Sequence, residues 1–349
     1  MANFDDLQGA VAQFGAGNKV IYDDIGMPSI MVGVPKMKYS DIITGGTEEV
    51  LPFFIVDGEE KETIYVSKFA NIVENDRAYS LGMKLPRNQI NFDQAVAACK
   101  AKGNGWHLNQ TGIFAVLNLL SQKMGTVPHG NTNYGKDYYH AYEHGIQPQG
   151  EARRTLTGSG GPTWYHNHDM SGIADLNGNV WEWTGGFRLM DGEIQIIPYG
   201  NCMKLDCDMS EDSTLWKAIM PDGSLVAPGT EGTLKIDGKA STTEGIIINT
   251  TVQYQMSGAM YRKMPFKTLA AESGVGVPKL LIALGVFPDR GINGYGNDQI
   301  WVQNYGEKLP YRGSGNNSVS SSGPSSINLR DGRSKSDLGV GFRAAFCEL

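Results

Sequence analysis

Residues 1–58 alternate short apolar runs, at 29–34 and 50–56, with Gly, Pro and Asp, and carry no long helical period. The pattern predicts a small β-rich N-terminal segment, placed to act as a docking element ahead of a main domain over 59–349. The stretch 63–69, T-I-Y-V-S-K-F, has the two-residue alternation of a strand. Two helices are expected. The first lies in N-F-D-Q-A-V-A-A-C-K-A-K-G, where Phe92, Ala95, Val96 and Cys99 share a face, Asn91 or Asp93 can cap the start, and Gly103 suits the end. The second covers 110–122, with Ile113, Val116, Leu117 and Leu120 at helical spacing and Gly125, Pro128 and Gly130 to stop it.

Residues 125–172 are rich in Gly, Asn, Tyr and His and poor in aliphatics, as a long organised loop would be. Strand-like runs resume at 193–197, 233–236 and 245–252 between P-D-G, P-G-T and D-G turn signals, so 190–275 reads as a β-rich insertion. The apolar run K-L-L-I-A-L-G-V-F at 279–287, between Pro278 and Pro288, reads as a buried strand. Residues 311–343 then form a Ser/Asn/Gly-rich tract that ends against Val340, Phe342, Ala344, Ala345 and Phe346. Composition alone makes this tract a mobile loop. Within it, however, Ile327 and Leu329 point the same way from an extended chain, so a strand there would hold the flanking polar residues outward.

A chain of 349 residues with 45 glycines fits a loop-rich globular protein better than a helical bundle. The formal net charge is −7 with no Lys/Arg cluster, which argues against a nucleic-acid partner. No run approaches the ~20 apolar residues of a membrane span, and the start lacks a signal-peptide pattern, so membrane insertion and signal-directed export are not expected. Cys99, Cys202, Cys207 and Cys347 are scattered, and the Cys202/Cys207 spacing is not that of a zinc knuckle; they read as buried thiols. H-A-Y-E-H at 140–144 matches the H-x-x-E-H spacing of inverted zinc peptidases, but it sits between Gly135 and Gly145 in a loop, without the helix that chemistry needs. In H-N-H-D, His166 and His168 read as loop-stabilising residues.

Three separated pieces, N-F-D-Q-A-V-A-A-C-K-A-K-G-N-G-W-H-L, L-N-G-N-V-W-E-W-T and V-G-F-R-A-A-F, resemble in this order the formylglycine-generating-enzyme branch of the C-type lectin fold. The resemblance implies an α+β, loop-rich domain with two helices and a small twisted antiparallel sheet, interrupted here by the β-rich insertion. In enzymes of that branch the second piece holds a structural calcium ion. Carried over, its ligands are the Asp175 and Glu182 side chains and the Gly178 and Val180 carbonyls, all hard oxygen donors; the alternative is that Glu182 only accepts loop hydrogen bonds. The same enzymes use a cysteine pair just before the terminal G-F-R, where this chain has none, so thiolate oxidase chemistry does not carry over.

The tract also resembles the variable region of diversity-generating retroelement proteins, a second branch of this fold, in which a reverse transcriptase miscopies template adenines. The layout matches: an opening R-G, a polar stretch, an I-N-L strand, a second polar stretch, then V-G-F-R. The opening departs from the family, with Asn316 where an aromatic often follows R-G-G-S. The resemblance implies a ligand surface made of Tyr311, Asn316, Asn317, Ser318, Ser320, Ser321, Ser325, Ser326, Arg330, Asp331, Lys335 and Asp337, with Tyr295, Trp301 and Tyr305 nearby as aromatic contact area. It implies a non-enzymatic binder of a cell-surface protein or glycan of a bacterial host, on a phage tail among other virion proteins or on a bacterial surface, presented in several copies for avidity. The rival expectations are a formylglycine-generating-type enzyme using other residues, or a degenerate relative of one, and a virion structural protein.

Overall fold

The chain's last strand lies between two much earlier ones. In a computed structural model, which describes residues 5–239 and 245–349, Ala344–Phe346 pairs antiparallel with Thr63–Ser67 on one side and Trp106–Leu108 on the other. Beyond Thr63–Ser67 the sheet continues through Pro28–Pro35 to Asn18–Tyr22, giving five strands. The described part of the N-terminal segment, 5–58, thus contributes two strands to this sheet. Val32, Val34, Ile42, Ile43, Leu51 and Phe53 belong to the same hydrophobic cluster as Ile113, Ile236 and Ile327. The segment also contains a helix that the pattern did not predict, Asp5–Ala12, in which Leu7 and Val11 are the only large apolar residues and too few to show a period.

Both predicted helices form. Asn91 caps Phe92–Lys100 with a reciprocal capping box: the Gln94 amide donates to Asn91 Oδ1 at 2.9 Å and the Asn91 amide donates to Gln94 Oε1 at 3.1 Å. Thr111–Met124 ends at Gly125, which takes the left-handed conformation at φ 70°. The run at 279–287 is not a strand. Lys279–Ala283 is a helical turn entered from Pro278, and the chain turns at Gly285 (φ 63°) to send Val286 into the core. A short apolar run is compatible with either element when both are fully buried.

The 190–275 region is β-rich, with Glu193–Ile196, Lys235–Gly238 and Ile246–Asn249 close to the predicted runs. Its strands share a seven-stranded antiparallel sheet with Phe187–Met190 and Glu307–Lys308, and Ile194, Ile236 and Ile248 join the main core rather than a core of their own. The architecture is α+β and loop-rich with few helices, as expected, but its sheets are far larger than the one small sheet the resemblance implied. No helix among the described residues is long and apolar enough to cross a membrane.

The third large sheet runs Arg262–Pro265, Gln299–Val302, Ile327–Leu329, Tyr311–Arg312, Trp181–Trp183, Val340–Phe342. Arg343 joins it to the five-stranded sheet, because this residue alone separates Val340–Phe342 from Ala344–Phe346. Its guanidinium is fully buried and donates to both Glu182 oxygens (Nε 3.0 Å, Nη2 2.7 Å), to Ser67 O at 2.7 Å and to Ala174 O at 2.9 Å. Removing one member of such a pair strands a buried charge. Arg343→Met is expected to cost about 3–5 kcal/mol in urea denaturation. Adding Glu182→Leu should recover only part of this, since Ser67 O and Ala174 O stay unpaired; a loss below about 1 kcal/mol for the single variant would contradict the assignment.

Candidate binding surface

The 311–343 tract is held at its start, middle and end by one sheet. Tyr311–Arg312 pairs antiparallel with both Trp181–Trp183 and Ile327–Leu329, and Val340–Phe342 runs parallel to Trp181–Trp183 on the other side, with Val340 opposite Trp181 and Phe342 opposite Trp183. The W-E-W and V-G-F motifs are thus direct neighbours. Ile327 and Leu329 are buried in the main core, as their alternation predicts, and Arg312 lies beneath them with its guanidinium over the Phe114 ring and 3.1 Å from the carbonyls of Leu284 and Gly285. The opposite face is a row of rings: Trp181 packs edge-on against Trp301 and Tyr311, and Tyr311 against Trp183.

Two loops leave this sheet, 313–326 and 330–339. Of the residues expected to bind ligand, Asn317 and Ser320 are exposed, and Ser318, Ser321, Arg330, Asp331, Lys335 and Asp337 are half-buried. Tyr311, Asn316, Ser325 and Ser326 are buried and are corrected here to framework. Each serves a hydrogen bond inside the fold. Asn316 Nδ2 donates to Asn179 O at 2.7 Å; Ser325 Oγ lies 2.9 Å from Asn118 Nδ2; Ser326 Oγ donates to Ser321 O at 3.2 Å; and the Tyr311 hydroxyl donates to the Asp331 carboxylate. Burial, together with Asp331, raises the Tyr311 pKa and keeps the phenol protonated. Tyr295 is likewise core, whereas Trp301 is half-buried and Tyr305 exposed.

The neighbouring scaffold grips both loops largely by their main chain. On the first, the Tyr134 amide donates to Asn316 O at 2.8 Å, the Val319 amide to Thr132 O at 3.0 Å, and the Tyr139 hydroxyl to Ser320 O at 3.0 Å. On the second, the amides of Phe92, Gln89, Leu309 and Trp181 donate to the carbonyls of Arg333, Asp337, Asp331 and Gly339. Side chains add support at Asn316, Ser325 and Asp331, as above, and at Arg333, bonded to both Glu307 oxygens at 2.7 and 2.8 Å and to Asp93 Oδ1 at 2.7 Å. Exposed aromatics flank each loop: Tyr134, Tyr138 and Tyr139 come from the 125–172 loop beside the first, and the Tyr261 ring lies under the Arg330 guanidinium beside the second. The sequence reading did not single out these flanking residues. The one available signal was the cluster of tyrosines in a loop lacking aliphatics.

The residues expected to hold calcium do not fit it. Asp175 and Gly178 lie in the tight D-L-N-G-N turn, where a side chain on Gly178 (φ 82°) would strike the Asn131 main chain, with Val180 just after it and Glu182 in the Trp181–Trp183 strand that follows. Both Glu182 oxygens, however, are bound to Arg343, and burial pushes the Asp175 carboxyl up to about 6 while its Oδ2 accepts the Gly158 amide at 2.8 Å. That leaves one carboxylate oxygen, Asp175 Oδ1, and two carbonyls, against the six to eight oxygens calcium takes. The Arg343 guanidinium already supplies the positive charge the turn requires.

The thiols are not poised for chemistry. All four are buried and free, and desolvation pushes Cys207 and Cys347 up to about 11 and Cys99 and Cys202 higher still. The H-x-x-E-H motif is not helical, and His144 is exposed. His166 Nδ1 accepts the Ile173 amide at 2.9 Å and His168 Nε2 lies 3.0 Å from Val127 O, the loop-holding role expected of them. A cavity of about 820 Å³ between Tyr39, Phe53, Gln110 and Lys279 includes no residue of 311–343.

The division into framework and free positions is testable by stability. Asn317→Arg and Ser320→Arg should each shift unfolding by no more than about 0.5 kcal/mol. Asn316→Ala should cost about 1–3 kcal/mol by stranding the Asn179 carbonyl; equal effects at all three positions would erase the distinction. Asp298, buried against the first loop and accepting the Ser325 amide at 2.7 Å, adds a pH signature. Desolvation raises its pKa from the ordinary 3.8 to about 8, so the folded state holds a proton that the unfolded state releases. Its stabilisation is full below about 4 and is lost as pH rises to about 8; Asp298→Asn should flatten that decline in thermal midpoints measured across the range.

No protein-family model and no curated protein matches the chain. Among solved structures, it is similar to the major tropism determinant U1 variant at 11% identity and TM-score 0.31, covering 92% of this chain and 63% of that one. It is also similar to the P3c variant at 10% identity and TM-score 0.32, covering 96% and 73% respectively. The chain thus spans under two thirds of the length of the U1 variant, and at such superposition the likeness decides neither fold nor function.

Proposed function

We propose that this chain is a non-enzymatic receptor-binding protein on a C-type-lectin-type scaffold, with a diversified surface carried by the two loops of 311–343. One observation carries the proposal. Both loops are gripped mostly at carbonyls and amides, which every residue type supplies, while their ends are strands in one sheet. Side chains at 317, 319–321, 330 and 335 can therefore change without altering what holds the backbone, whereas Ser318 Oγ accepts the Gly315 amide at 2.9 Å and Asp337 Oδ1 the Gly339 amide at 2.8 Å. The rim of tyrosines adds contact area at low entropic cost, as in other diversified binding surfaces. The partner is a protein or glycan on a bacterial host surface, the setting is a phage tail, and several copies would supply avidity.

The genome supplies the first test. A reverse-transcriptase gene and a near-copy of the 3′ coding sequence differing at adenines should lie nearby; if neither exists, the diversification part fails. Sequenced populations should vary at Asn317, Ser320, Ser321, Arg330 and Lys335 and keep Ile327, Leu329, Arg312 and Arg343. For binding, purified protein should adsorb to host cells. Simultaneous Asn317→Ala, Ser320→Ala and Arg330→Ala should abolish adsorption without moving the thermal midpoint. Unchanged adsorption would place the receptor contact elsewhere.

A further inference from the structure

We propose that His129, His140 and Glu143 form a binding site for a divalent transition metal of the Zn²⁺ type, beside the first diversified loop. Each side chain offers one ligand atom, and these atoms lie within 4.8 Å of one another. All three residues are only partly buried, so an ion has access from solvent. His129 Nδ1 stands 3.0 Å from each Glu143 oxygen. Zinc ligands at about 2.0–2.2 Å from the ion stand roughly 3 Å apart, so an ion can replace the proton shared between this nitrogen and this carboxylate.

The outer partners are those that metal ligands commonly have. Glu143 Oε2 accepts from Thr163 Oγ1 at 2.8 Å and Trp164 Nε1 at 3.1 Å, leaving Oε1 with no partner other than His129. His140 Nδ1 lies 3.1 Å from Asp137 Oδ1, which also accepts the His140 amide at 2.8 Å. Donation to Asp137 leaves the His140 Nε2 lone pair free. Without an ion the two imidazoles stack at 3.8 Å and 7°; coordination requires the His140 ring to rotate out of this stack. His168, edge-on to His129 at 5.7 Å, is engaged at Val127 O, so the protein supplies three ligands and one position stays open.

Two imidazoles and a carboxylate select a borderline transition metal over calcium. A cleft of about 430 Å³ lies alongside, lined by His129 and His140 and also by Ser322, Gly323 and Pro324 of the first diversified loop. An ion here would brace the 129–144 segment, whose Thr132 and Tyr139 hold that loop. The inherited-looking H-A-Y-E-H motif contributes His140 and Glu143, while His129 stands in place of His144.

The test titrates chelator-dialysed full-length protein with Zn²⁺ by calorimetry and with Co²⁺ by visible absorption. One ion per chain is expected, with a rise in thermal midpoint and proton release. Affinity should fall at least tenfold in His129→Ala and in His140→Gln and stay unchanged in His144→Ala. X-ray absorption of the unmodified zinc protein should show a nitrogen/oxygen shell containing two imidazoles, which covers the case of a variant that does not fold. No saturable binding, equal binding in the His129→Ala/His140→Gln double variant, or sulfur ligation would overturn the site and leave the receptor-binding proposal intact.

Discussion

A single guanidinium sits where two sheets meet. Arg343 is the hinge residue between the strand that completes the six-stranded sheet and the strand that completes the five-stranded one, and its donors reach Glu182, Ser67 and Ala174. A buried charge is tolerable only when paired and hydrogen-bonded, so these four groups constrain one another's positions. The consequence for topology is direct. The W-E-W strand, the residue before the D-L-N-G-N turn and the end of Thr63–Ser67 are thus all tied to one residue near the C-terminus. The Ser/Asn/Gly-rich tract immediately precedes Arg343, so its C-terminal end is fixed by this buried ion pair.

The same constraint divides the six-stranded sheet into two unlike faces. Towards the main core it presents Ile300, Ile327, Leu329, Arg312 and Glu182; away from it, the rings of Trp181, Trp183, Trp301 and Tyr311. Polar residues of the tract that fall near the sheet are therefore captured as hydrogen-bonding groups inside the protein. Asn316 and Ser325 are of this kind, and only beyond them does the chain reach water. Burial of Asp298 under the first loop belongs to the same economy: a carboxyl kept protonated by desolvation can lie against main chain without carrying a charge there.

Much of this was legible in the sequence where the signal is local. The capping residue Asn91, the stop at Gly125 and the alternation of Ile327 with Leu329 each depend on neighbours within a few positions, and the three motifs quoted for the resemblance proved to be adjacent strands and the helix packed on them. What depends on distant pairing was not legible. Nothing in residues 1–58 announces that their strands extend a sheet finished by residue 346, and a run such as 279–287 satisfies strand and helix alike when every face is buried. The competitor for the calcium site was illegible for a related reason, since Glu182 looks like a free oxygen donor until Arg343, 161 positions later, is placed on it. Ser and Asn were the hardest to assign, because composition treats an exposed serine and a buried, bonded one as the same letter.

Diversification demands that a surface change while its support does not, and side-chain contacts between loop and scaffold would make that impossible. Here the 125–172 loop reaches the tip of the 313–326 loop through Asn316 O, Val319 N and Ser320 O, and the 88–93 segment reaches the 330–339 loop through Arg333 O and Asp337 O. These atoms are common to all residues, except for the amide that proline lacks. Substitution at 317, 320 or 321 leaves the hydrogen bonds in place, and the main-chain path they define persists from one variant to the next. Where a side chain does carry support, as in Arg333 to Glu307 or Asp331 to the Tyr311 hydroxyl, the position is framework despite lying inside the tract. Asp331 therefore belongs with the anchors, as does Asp337, whose Oδ1 accepts the Gly339 amide at 2.8 Å, and the free positions of the second loop narrow to Arg330 and Lys335.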